Sequence, residues 1–401
     1  MYKHLTRAGS LALLLAMLAG CAGAAASSAS TPGVAAPTAT PIAAPTAAQV
    51  ATPVPTLPPV AHPSPTPAAP SATPAPPSAT PAPPSATPAP PSATPAALTG
   101  SLALPRGSVK ERPMVVMIDN HPDAYPQSGL NGAAVVFEAL AEFGITRYMA
   151  VFVPGVSPKL DEIGPVRSAR SYYVEWAKGL RAVYSHAGGS PEGLLLAETA
   201  IEIINNDGLR SISSPYFRRS SERLAPHNLY TDSASIAAFA ASRQRETPDL
   251  SEIGFILKPE ISADQRPASQ QLSYFFIYPK TYVSWSYDPA SNNYRYFRAS
   301  KPDIDRRTGE QLQFKNLVIM EVPESSIPGD PKGRIEQQVI GAGKARIFRD
   351  GTMSEGTWRK DAGFAQLRFY APDGSEVPMN PGPVWIAAIP SMSNLTVEGG
   401  S

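Results

Sequence analysis

The chain has 401 residues, and its 34 lysines and arginines are balanced by 33 aspartates and glutamates, so the formal net charge is +1 at pH 7. A balance this close excludes an electrostatic basis for nucleic-acid binding or for broad adhesion to acidic lipid. The chain has one cysteine, Cys21, which excludes a disulfide framework and a thiolate metal site in the folded part.

Residues 1–20 are predicted to be a lipoprotein signal peptide. Two cations precede the apolar run Leu11 to Leu18, and this run is shorter than the roughly 20 apolar residues that a membrane-spanning helix requires. The small residues Ala19 and Gly20 stand directly before Cys21, whose thiol can carry a thioether-linked lipid. The pattern predicts cleavage before Cys21 and anchoring on the outer face of the bacterial cell membrane. The alternative is a cytosolic protein with an apolar start and an incidental cysteine.

Residues 21–98 are predicted to be a disordered, lipid-anchored stalk. Ala22 to Ala97 contains no lysine, arginine, aspartate or glutamate, and the heptad Pro-Ser-Ala-Thr-Pro-Ala-Pro begins at Pro70, Pro77 and Pro84. Such a segment has too little apolar side chain to offset the entropy of ordering, and proline-rich chains extend by about 3.1 Å per residue. We therefore expect a spacer that carries the folded part away from the membrane. A ligand track for proline-recognising modules is the alternative.

Residues 99–250 are predicted to form an α/β domain. A short apolar strand ends in polar residues, and two further apolar runs flank Glu142-Phe143-Gly144, as in a hairpin. Ser190-Pro191-Glu192 has the pattern of a helix start. Strands alternate with helices, which is the α/β pattern. The predicted strands are 113–118, 133–140, 145–153 and 182–185, and the predicted helices are 171–180, 190 to about 204 and 233 to about 244.

Residues 265–398 are predicted to form a mostly antiparallel β domain, because short aromatic and β-branched runs are bounded by Pro, Gly, Asn and Asp. The segment 243–271 between the halves is polar and contains prolines. The expected fold class is therefore α+β, with an N-terminal α/β half followed by a mostly antiparallel β half, on a disordered stalk rich in proline, alanine and threonine. The predicted strands of the second half are 274–278, 282–287, 294–298, 317–322, 345–348, 365–370 and 384–389.

Arg167, Ser168 and Arg170 stand directly before a predicted helix. Free backbone N–H groups, the helix dipole and two guanidinium forks all favour a phosphate or a carboxylate at such a position. The pattern therefore predicts an anion-binding pocket. The alternative is structural, with the two arginines forming ion pairs inside the fold to Glu138, Glu142 or Asp161.

Three further polar segments each contain one histidine of the folded part: Asp119-Asn120-His121, His186-Ala187-Gly188-Gly189-Ser190 and Pro226-His227-Asn228. The first follows a strand, the second is a strand-to-helix turn, and the third lies in a polar loop; such positions commonly line sites. The glycine turn is equally compatible with packing alone. Three imidazoles with Asp119 or Asp207 could form a zinc site with an open position, although the helical histidine spacing that would make it specific is absent.

The sequence contains no nucleophile elbow, phosphate-binding loop or dinucleotide fingerprint. We therefore assign no catalytic residue and no cofactor from the sequence. Whether the site holds a metal is left open at this point.

A set of short motifs runs through both halves of the chain. They are Val116 to Pro122, Pro126 to Leu130, Gly144 to Arg147, Ile163 to Arg170, His186 to Ser190, Pro226 to Tyr230, Val283 to Tyr287, Tyr296 to Arg298, Asp305, Asn316 to Val318, Gly356 to Lys360 and Asn380 to Trp385. In these motifs the chain resembles the YerB-like lipoproteins over most of residues 110–390. The resemblance implies a two-part domain, of unknown function in both parts, on a lipoprotein anchor. Tyr125 stands where an arginine is expected, so the resemblance gives no support to a third guanidinium at an anion site.

A shorter stretch is similar to the LytR-CpsA-Psr phosphotransferases, which attach anionic glycopolymers to peptidoglycan. It comprises Gly144 to Arg147 entering a strand, the arginine-bearing turn at Arg167 and the Gly-Gly turn at Gly188. This similarity implies that Arg147, Arg167 and Arg170 would clamp a polyprenyl pyrophosphate and that Asp119 would hold a metal.

The sequence favours an extracytoplasmic binding or interaction lipoprotein of the cell envelope. The alternatives are a LytR-CpsA-Psr-like phosphotransferase acting on polyprenyl-pyrophosphate-linked glycopolymers, and a metal-dependent hydrolase. The expected partners are the membrane, through a lipid on Cys21, and a cell-wall or anionic envelope ligand, with no nucleic acid. The candidate ligand-binding residues are Asp119, Asn120, His121, Arg147, Arg167, Ser168, Arg170, His186, Gly188, Gly189, His227 and Asn228.

Overall fold

The computed structural model describes residues 102–200, 202–205, 214–278 and 282–400. The predicted signal peptide and stalk, including Cys21, lie outside these residues, and so does Asp207. Among the helices formed by the described residues, none has the length and apolar character needed to cross a membrane.

The first half of the described chain contains three helices between strands. The four strands predicted from the sequence are found close to their expected bounds, as are the first and third helices. The elements are β1 (Met114–Asp119), β2 (Val135–Glu142), β3 (Ile145–Phe152), α1 (Ser171–Gly179), β4 (Val183–His186), α2 (Pro191–Ala200), β5 (Glu202–Asn205), β6 (Arg218–Arg219), β7 (Leu229–Tyr230) and α3 (Ser233–Ser242).

The described part of the second half has no α-helix and consists of strands joined by turns and loops. They are β8 (Gln270–Tyr274), β9 (Val283–Asp288), β10 (Asn293–Arg298), β11 (Lys301–Pro302), β12 (Gln313–Phe314), β13 (Asn316–Glu321), β14 (Glu324–Ser326), β15 (Ile335–Gln337), β16 (Gly341–Arg349), β17 (Thr352–Lys360), β18 (Arg368–Tyr370), β19 (Val384–Ile389) and β20 (Leu395–Gly399).

Strands of both halves share one ten-stranded mixed sheet, in the order β18-β17-β16-β13-β19-β2-β3-β1-β4-β5. β19 is the link, because it runs parallel to β13 on one side and to β2 on the other. A second, antiparallel sheet has the order β11-β10-β9-β8-β20, with β12 beside β10. The division into domains 99–250 and 265–398 stays a prediction about folding units, while the large sheet runs across it.

Both faces of the large sheet are buried, because successive residues of a strand point to opposite sides. Met117 of β1 belongs to the same apolar layer as Trp176 of α1. Ile118, the next residue, belongs to the layer that contains Trp285 of the second sheet and Ile236 of α3. The molecule therefore has a helical layer, a central ten-stranded sheet, and a third layer formed by the smaller sheet and α3. The predicted α+β fold class is confirmed.

Two differences from the sequence-based elements have a physical reason. The predicted helix from 190 to about 204 ends at Ala200, and 202–205 forms β5 parallel to β4, since tertiary pairing outweighs weak helix propensity in a segment rich in isoleucine. The strand predicted at 274–278 lies instead at Gln270–Tyr274. The first two residues of the observed strand are glutamines, so the apolar pattern gave no sign that they pair with β20.

Candidate functional site

Asp119, the last residue of β1, gathers three separate segments of the chain around one buried carboxylate. Its Oδ2 lies 2.7 Å from Nδ1 of His227 and 3.0 Å from Nε of Arg167. Its Oδ1 accepts a hydrogen bond from the backbone N–H of His121 at 3.1 Å. Asp119 itself is 2% exposed. We call Asp119, His121, Asp123, Arg167 and His227 the Asp119 site.

Backbone pairing next to β1 fixes the position of Arg167. The N–H of Asp119 donates to the carbonyl of Pro165 at 2.8 Å, and the N–H of Arg167 donates to the carbonyl of Met117 at 2.9 Å. The segment 165–167 therefore runs beside the strand end like a short added strand. This places the guanidinium next to the carboxylate, with its side chain 25% exposed.

Asn228 holds the loop that carries His227. Its Nδ2 donates to the carbonyls of Ser220 and Arg223, at 2.9 and 3.0 Å, and its Oδ1 accepts from Arg219 at 2.7 Å. Both polar atoms of its side chain are thus used within the loop. Asn228 was predicted as a ligand contact, and in the structure it positions His227.

His121 and His227 stack with their ring centroids 4.5 Å apart. Oδ2 of Asp123 lies 3.5 Å from Nδ1 of His121 and 3.9 Å from Nε2 of His227. Since Nδ1 of His227 faces the Asp119 carboxylate, we assign the proton to Nδ1, which leaves a lone pair on Nε2. The side chains of His121, Asp123 and His227 offer ligand atoms that lie within 4.8 Å of one another.

Arg147 and Arg170 meet at Glu142, next to the Asp119 site, because Arg147 of β3 lies directly opposite Asp119 of β1. Both guanidinium groups form ion pairs with Glu142, and both arginines are nearly fully buried. Arg147 also donates to the carbonyl of Ser168 at 3.3 Å, and Arg170 to the carbonyl of Ala169 at 2.6 Å. Burial and the neighbouring Arg147 lower the pKa of Arg170, while Glu142 opposes that shift. This arrangement is the structural alternative foreseen for Arg170.

His186 ends β4 and is completely buried. Its Nδ1 lies 2.8 Å from the carbonyl oxygen of Gly188, and burial lowers its pKa to about 4. Gly188 has φ +66°, and the carbonyl of Gly188 accepts from Ala169 at 2.9 Å. A Cβ on Gly189 would lie 2.9 Å from the side chain of Leu194. The glycine turn therefore packs closely against its neighbours at the start of α2.

Asn120 points to the opposite face of the sheet from Asp119. Its Oδ1 accepts from Gln127 at 3.0 Å and from Arg298 at 2.5 Å, and its Nδ2 donates to Thr146 at 2.6 Å. It is therefore part of the wall of a separate cavity between the two sheets. Of the twelve residues predicted from the sequence, the structure brings Asp119, His121, Arg167 and His227 together around the Asp119 carboxylate.

Comparison with known proteins places the chain in a family. The model described as "Protein of unknown function (DUF3048) N-terminal domain" matches residues 98–246, and the corresponding C-terminal domain model matches residues 273–386. The chain belongs to this family. It is 30% identical over 314 residues to "Putative lipoprotein YerB" of Bacillus subtilis (strain 168), a match that covers 76% of this chain and 88% of that protein.

A solved structure supports the same relationship. The crystal structure of the YerB protein from Bacillus subtilis superposes with a TM-score of 0.62 at 29% sequence identity, covering 72% of this chain and 94% of that one. The resemblance to the YerB-like family inferred from the motifs is confirmed.

Two site residues of this DUF3048 family member were missed by the sequence analysis. Asp123 completes the cluster with the imidazoles, and it stands two residues after His121 in a polar turn, a spacing that could have signalled it. Arg298 reaches Asn120 from 178 positions away, and only its place in the motif Tyr296 to Arg298 pointed to it.

Proposed function

We propose that this protein is a lipid-anchored, extracytoplasmic binding protein of the cell envelope. The support for the anchor is the signal-like segment that ends at Cys21, together with the relative named as a lipoprotein. Replacing Cys21 with alanine should then move the protein from the membrane fraction to the medium, or leave it as an unprocessed precursor. Mature-sized C21A protein in the membrane fraction would contradict the anchor.

The ligand proposed for the Asp119 site is an anionic group, a phosphate or a carboxylate. The observation that carries this proposal is the state of Arg167. Its Nε lies 3.0 Å from Oδ2 of Asp119, its side chain is partly exposed, and no described residue accepts a hydrogen bond from its two terminal nitrogens. A guanidinium fork held in this way binds an oxyanion through two parallel hydrogen bonds. The imidazole of His121 stacks on that of His227, and its Nε2–H can add a donor, because its Nδ1 accepts from the backbone N–H of Asp123.

Thermal unfolding in phosphate and pyrophosphate, against sodium chloride of equal ionic strength, tests this site. We expect saturable stabilisation, because a ligand that binds the folded state raises its stability by RT ln(1 + [L]/Kd). Arg167→Gln should remove the effect. Arg359→Gln is the matched control, since Arg359 is an exposed arginine that also pairs with an aspartate, Asp361. Equal stabilisation of parent and R167Q protein would rule out the anion site.

A divalent transition metal is a second candidate ligand at this site. The observation in its favour is the grouping of His121, Asp123 and His227, with Asp119 behind His227. Zinc commonly takes three such protein ligands plus water, and a carboxylate on the far nitrogen orients a ligating imidazole. Calorimetric titration with zinc should show one site that is lost in His227→Gln and kept in Asp161→Asn, a change at an exposed aspartate. Equal zinc affinity of H227Q and parent would refute it.

The phosphotransferase alternative requires Arg147, Arg167 and Arg170 in one clamp. Arg147 and Arg170 are nearly fully buried and paired with Glu142, so Arg167 is the one of the three with a partly exposed side chain. The geometry therefore supports binding through one guanidinium better than a three-arginine clamp on a pyrophosphate.

A further inference from the structure

A cavity of about 260 Å³ lies between the large sheet and the second sheet. It is smaller than the roughly 300–1,000 Å³ of pockets that hold drug-sized ligands, so it suits a small organic group. Much of its wall is apolar or aromatic, formed by Pro122, Tyr125, Ile145, Phe276, Tyr282 and Val283.

Glu138 of β2 lines this cavity and is 1% exposed. Its Oε1 accepts a hydrogen bond from the hydroxyl of Thr146 at 3.0 Å, and its Oε2 accepts one from the hydroxyl of Tyr274 at 2.8 Å. Both donors are neutral. Glu138 forms no ion pair with any residue that the structure describes, although an ionised carboxylate without a counter-charge is costly to bury.

Arg298 is the cation whose field reaches Glu138, but its guanidinium is engaged elsewhere. It forms an ion pair with Asp303 and donates to Asn120 at 2.5 Å and to the hydroxyl of Tyr148 at 3.1 Å. Because Arg298 and Asp303 balance each other, the cavity keeps one uncompensated acidic group. Burial accordingly raises the pKa of Glu138 to about 7, against the opposing effects of Tyr274, Arg298 and Thr146.

Large apolar side chains next to the cavity lining are exposed. Phe143, Ile277 and Tyr278 are exposed large side chains, and they adjoin the lining residues Gly144 and Phe276 in the chain. Aromatic faces attract cations, and the effect increases when the cation is desolvated. In this wall the guanidinium of Arg298 already lies 3.7 Å from the ring centroid of Tyr125.

We infer that this cavity binds an organic cation, a primary ammonium group on a short apolar stem, with the ammonium at Glu138 and the stem against the aromatic wall. The ammonium supplies the counter-charge that the described residues do not provide. A free amine and a lysine side chain of a peptide share this chemistry. The inference goes beyond the anion or metal proposed for the Asp119 site and does not depend on it.

Isothermal titration with 2-phenylethylammonium, butylammonium and N-acetyl-lysine methylamide tests the cavity, with 2-phenylethanol as the neutral isostere. We expect saturable binding of at least one ammonium probe and much weaker binding of the alcohol. Whether the free amines or the lysine derivative bind more tightly identifies the source of the group. If no ammonium probe binds better than the alcohol, the inference is wrong.

Glu138→Gln is the decisive variant, since glutamine keeps the shape and can still hydrogen-bond both hydroxyls. Loss of the charge should weaken ammonium binding about 10- to 100-fold. The matched control is Glu355→Gln, a change at an exposed side chain of β17, which should bind like the parent. Ile145→Trp should block the cavity by volume while leaving Glu138 in place. Parent-like affinity in E138Q would overturn the inference.

The pH dependence supplies an independent readout. With the pKa of Glu138 near 7, the affinity for an ammonium that stays charged should be about tenfold lower at pH 6 than at pH 8. The other groups that face Glu138 do not mimic this, because burial raises the tyrosine pKa values further above this range and the pKa of Arg298 is raised too. Those tyrosines are Tyr125, Tyr148, Tyr274 and Tyr296. Identical affinities at the two pH values would contradict a role for Glu138.

Discussion

The Asp119 site and the Glu138 cavity are adjacent, because Asn120, the residue after Asp119, lines the cavity. The charges around their acidic groups nevertheless differ. Asp119 faces a guanidinium and an imidazole at a partly open strand end, whereas Glu138 faces two neutral hydroxyls between two sheets. Gln127 connects the two regions, since its Nε2 donates both to the carbonyl of Asp119 at 2.9 Å and to Asn120 at 3.0 Å. A buried carboxylate that is already paired with a cationic side chain positions that side chain. A buried carboxylate without a counter-charge can instead bind a cationic ligand.

The difference follows from how each region is built. Residues before 250 alone form the Asp119 site, from the end of β1, the segment 165–167 and the loop that precedes β7. The cavity needs both halves, because Tyr274 and Arg298 belong to the second sheet while Glu138 and Thr146 belong to the large one. Ligand binding in the cavity is therefore sensitive to how the two sheets pack together.

The largest effect is expected at Glu142, which holds Arg147 and Arg170. Glu142→Gln would leave two nearly buried guanidinium groups without their anion. Removing one partner of a buried ion pair costs about 3–5 kcal/mol, and urea unfolding at pH 7 should show a loss of this size. Glu355→Gln, at an exposed ion pair with Arg346, should change stability by less than about 1 kcal/mol. A small effect of E142Q would return these arginines to the list of candidate ligand contacts.

The next largest effect is the pH dependence of folding stability that Glu138 causes. Its pKa is raised in the folded state to about 7, so the protein loses stability as pH rises from the unfolded-state pKa near 4.5 through 7. The shift corresponds to about 3 kcal/mol. Glu138→Gln removes this loss, so the variant should gain about that much relative to the parent between pH 4 and pH 8. Urea unfolding at several pH values measures the difference, and a difference that does not change with pH would contradict the buried, unpaired carboxylate.

The titration of His186 should change folding stability in the opposite direction, over almost the same pH range. Burial depresses its pKa to about 4 in the folded state, so stability is full above the unfolded-state value near 6.5 and is lost as pH falls through 4. The shift is worth up to about 3 kcal/mol. His186→Asn keeps a donor towards the carbonyl of Gly188 and should abolish this acid sensitivity. Because the two groups oppose each other, urea unfolding of H186N should show a steeper loss of stability with rising pH than the parent between pH 4.5 and 6.5.

Strand periodicity makes much of the fold readable, and it also explains one error about the site. The apolar run before Asp119 predicted β1 closely, because buried parallel and mixed strands are apolar on both faces. The segment Asp119-Asn120-His121 was treated as one group, yet neighbouring strand-end residues point to opposite faces. Alternation alone could have assigned Asp119 to one site and Asn120 to the other.

Contacts between distant residues could not be read from the sequence. Nothing local to Arg170 distinguishes a guanidinium that reaches a ligand from one that reaches Glu142, which is 28 positions earlier. The same is true of β17, whose alternating exposed residues resemble a polar loop until β16 and β18 pair with it on both sides. The ligand-binding roles assigned from the sequence stay predictions, and the geometry tells which residues can be tested separately.

Arg167 and Arg170 stand three positions apart, and the sequence assigned both to one anion-binding pocket. The smallest predicted effect is the loss of stability in Arg167→Gln, compared with the same change at Arg170. Arg167→Gln leaves the Asp119 carboxylate with a hydrogen bond from His227 and one from the backbone of His121. Losing one charged contact at a partly exposed side chain should cost about 1–2 kcal/mol. Arg170→Gln, the identical chemical change, strands part of the buried Glu142 pair and should cost more than twice as much. Equal losses in urea unfolding would mean that Arg167 is as structural as Arg170, and the Asp119 site would lose its anion-binding group.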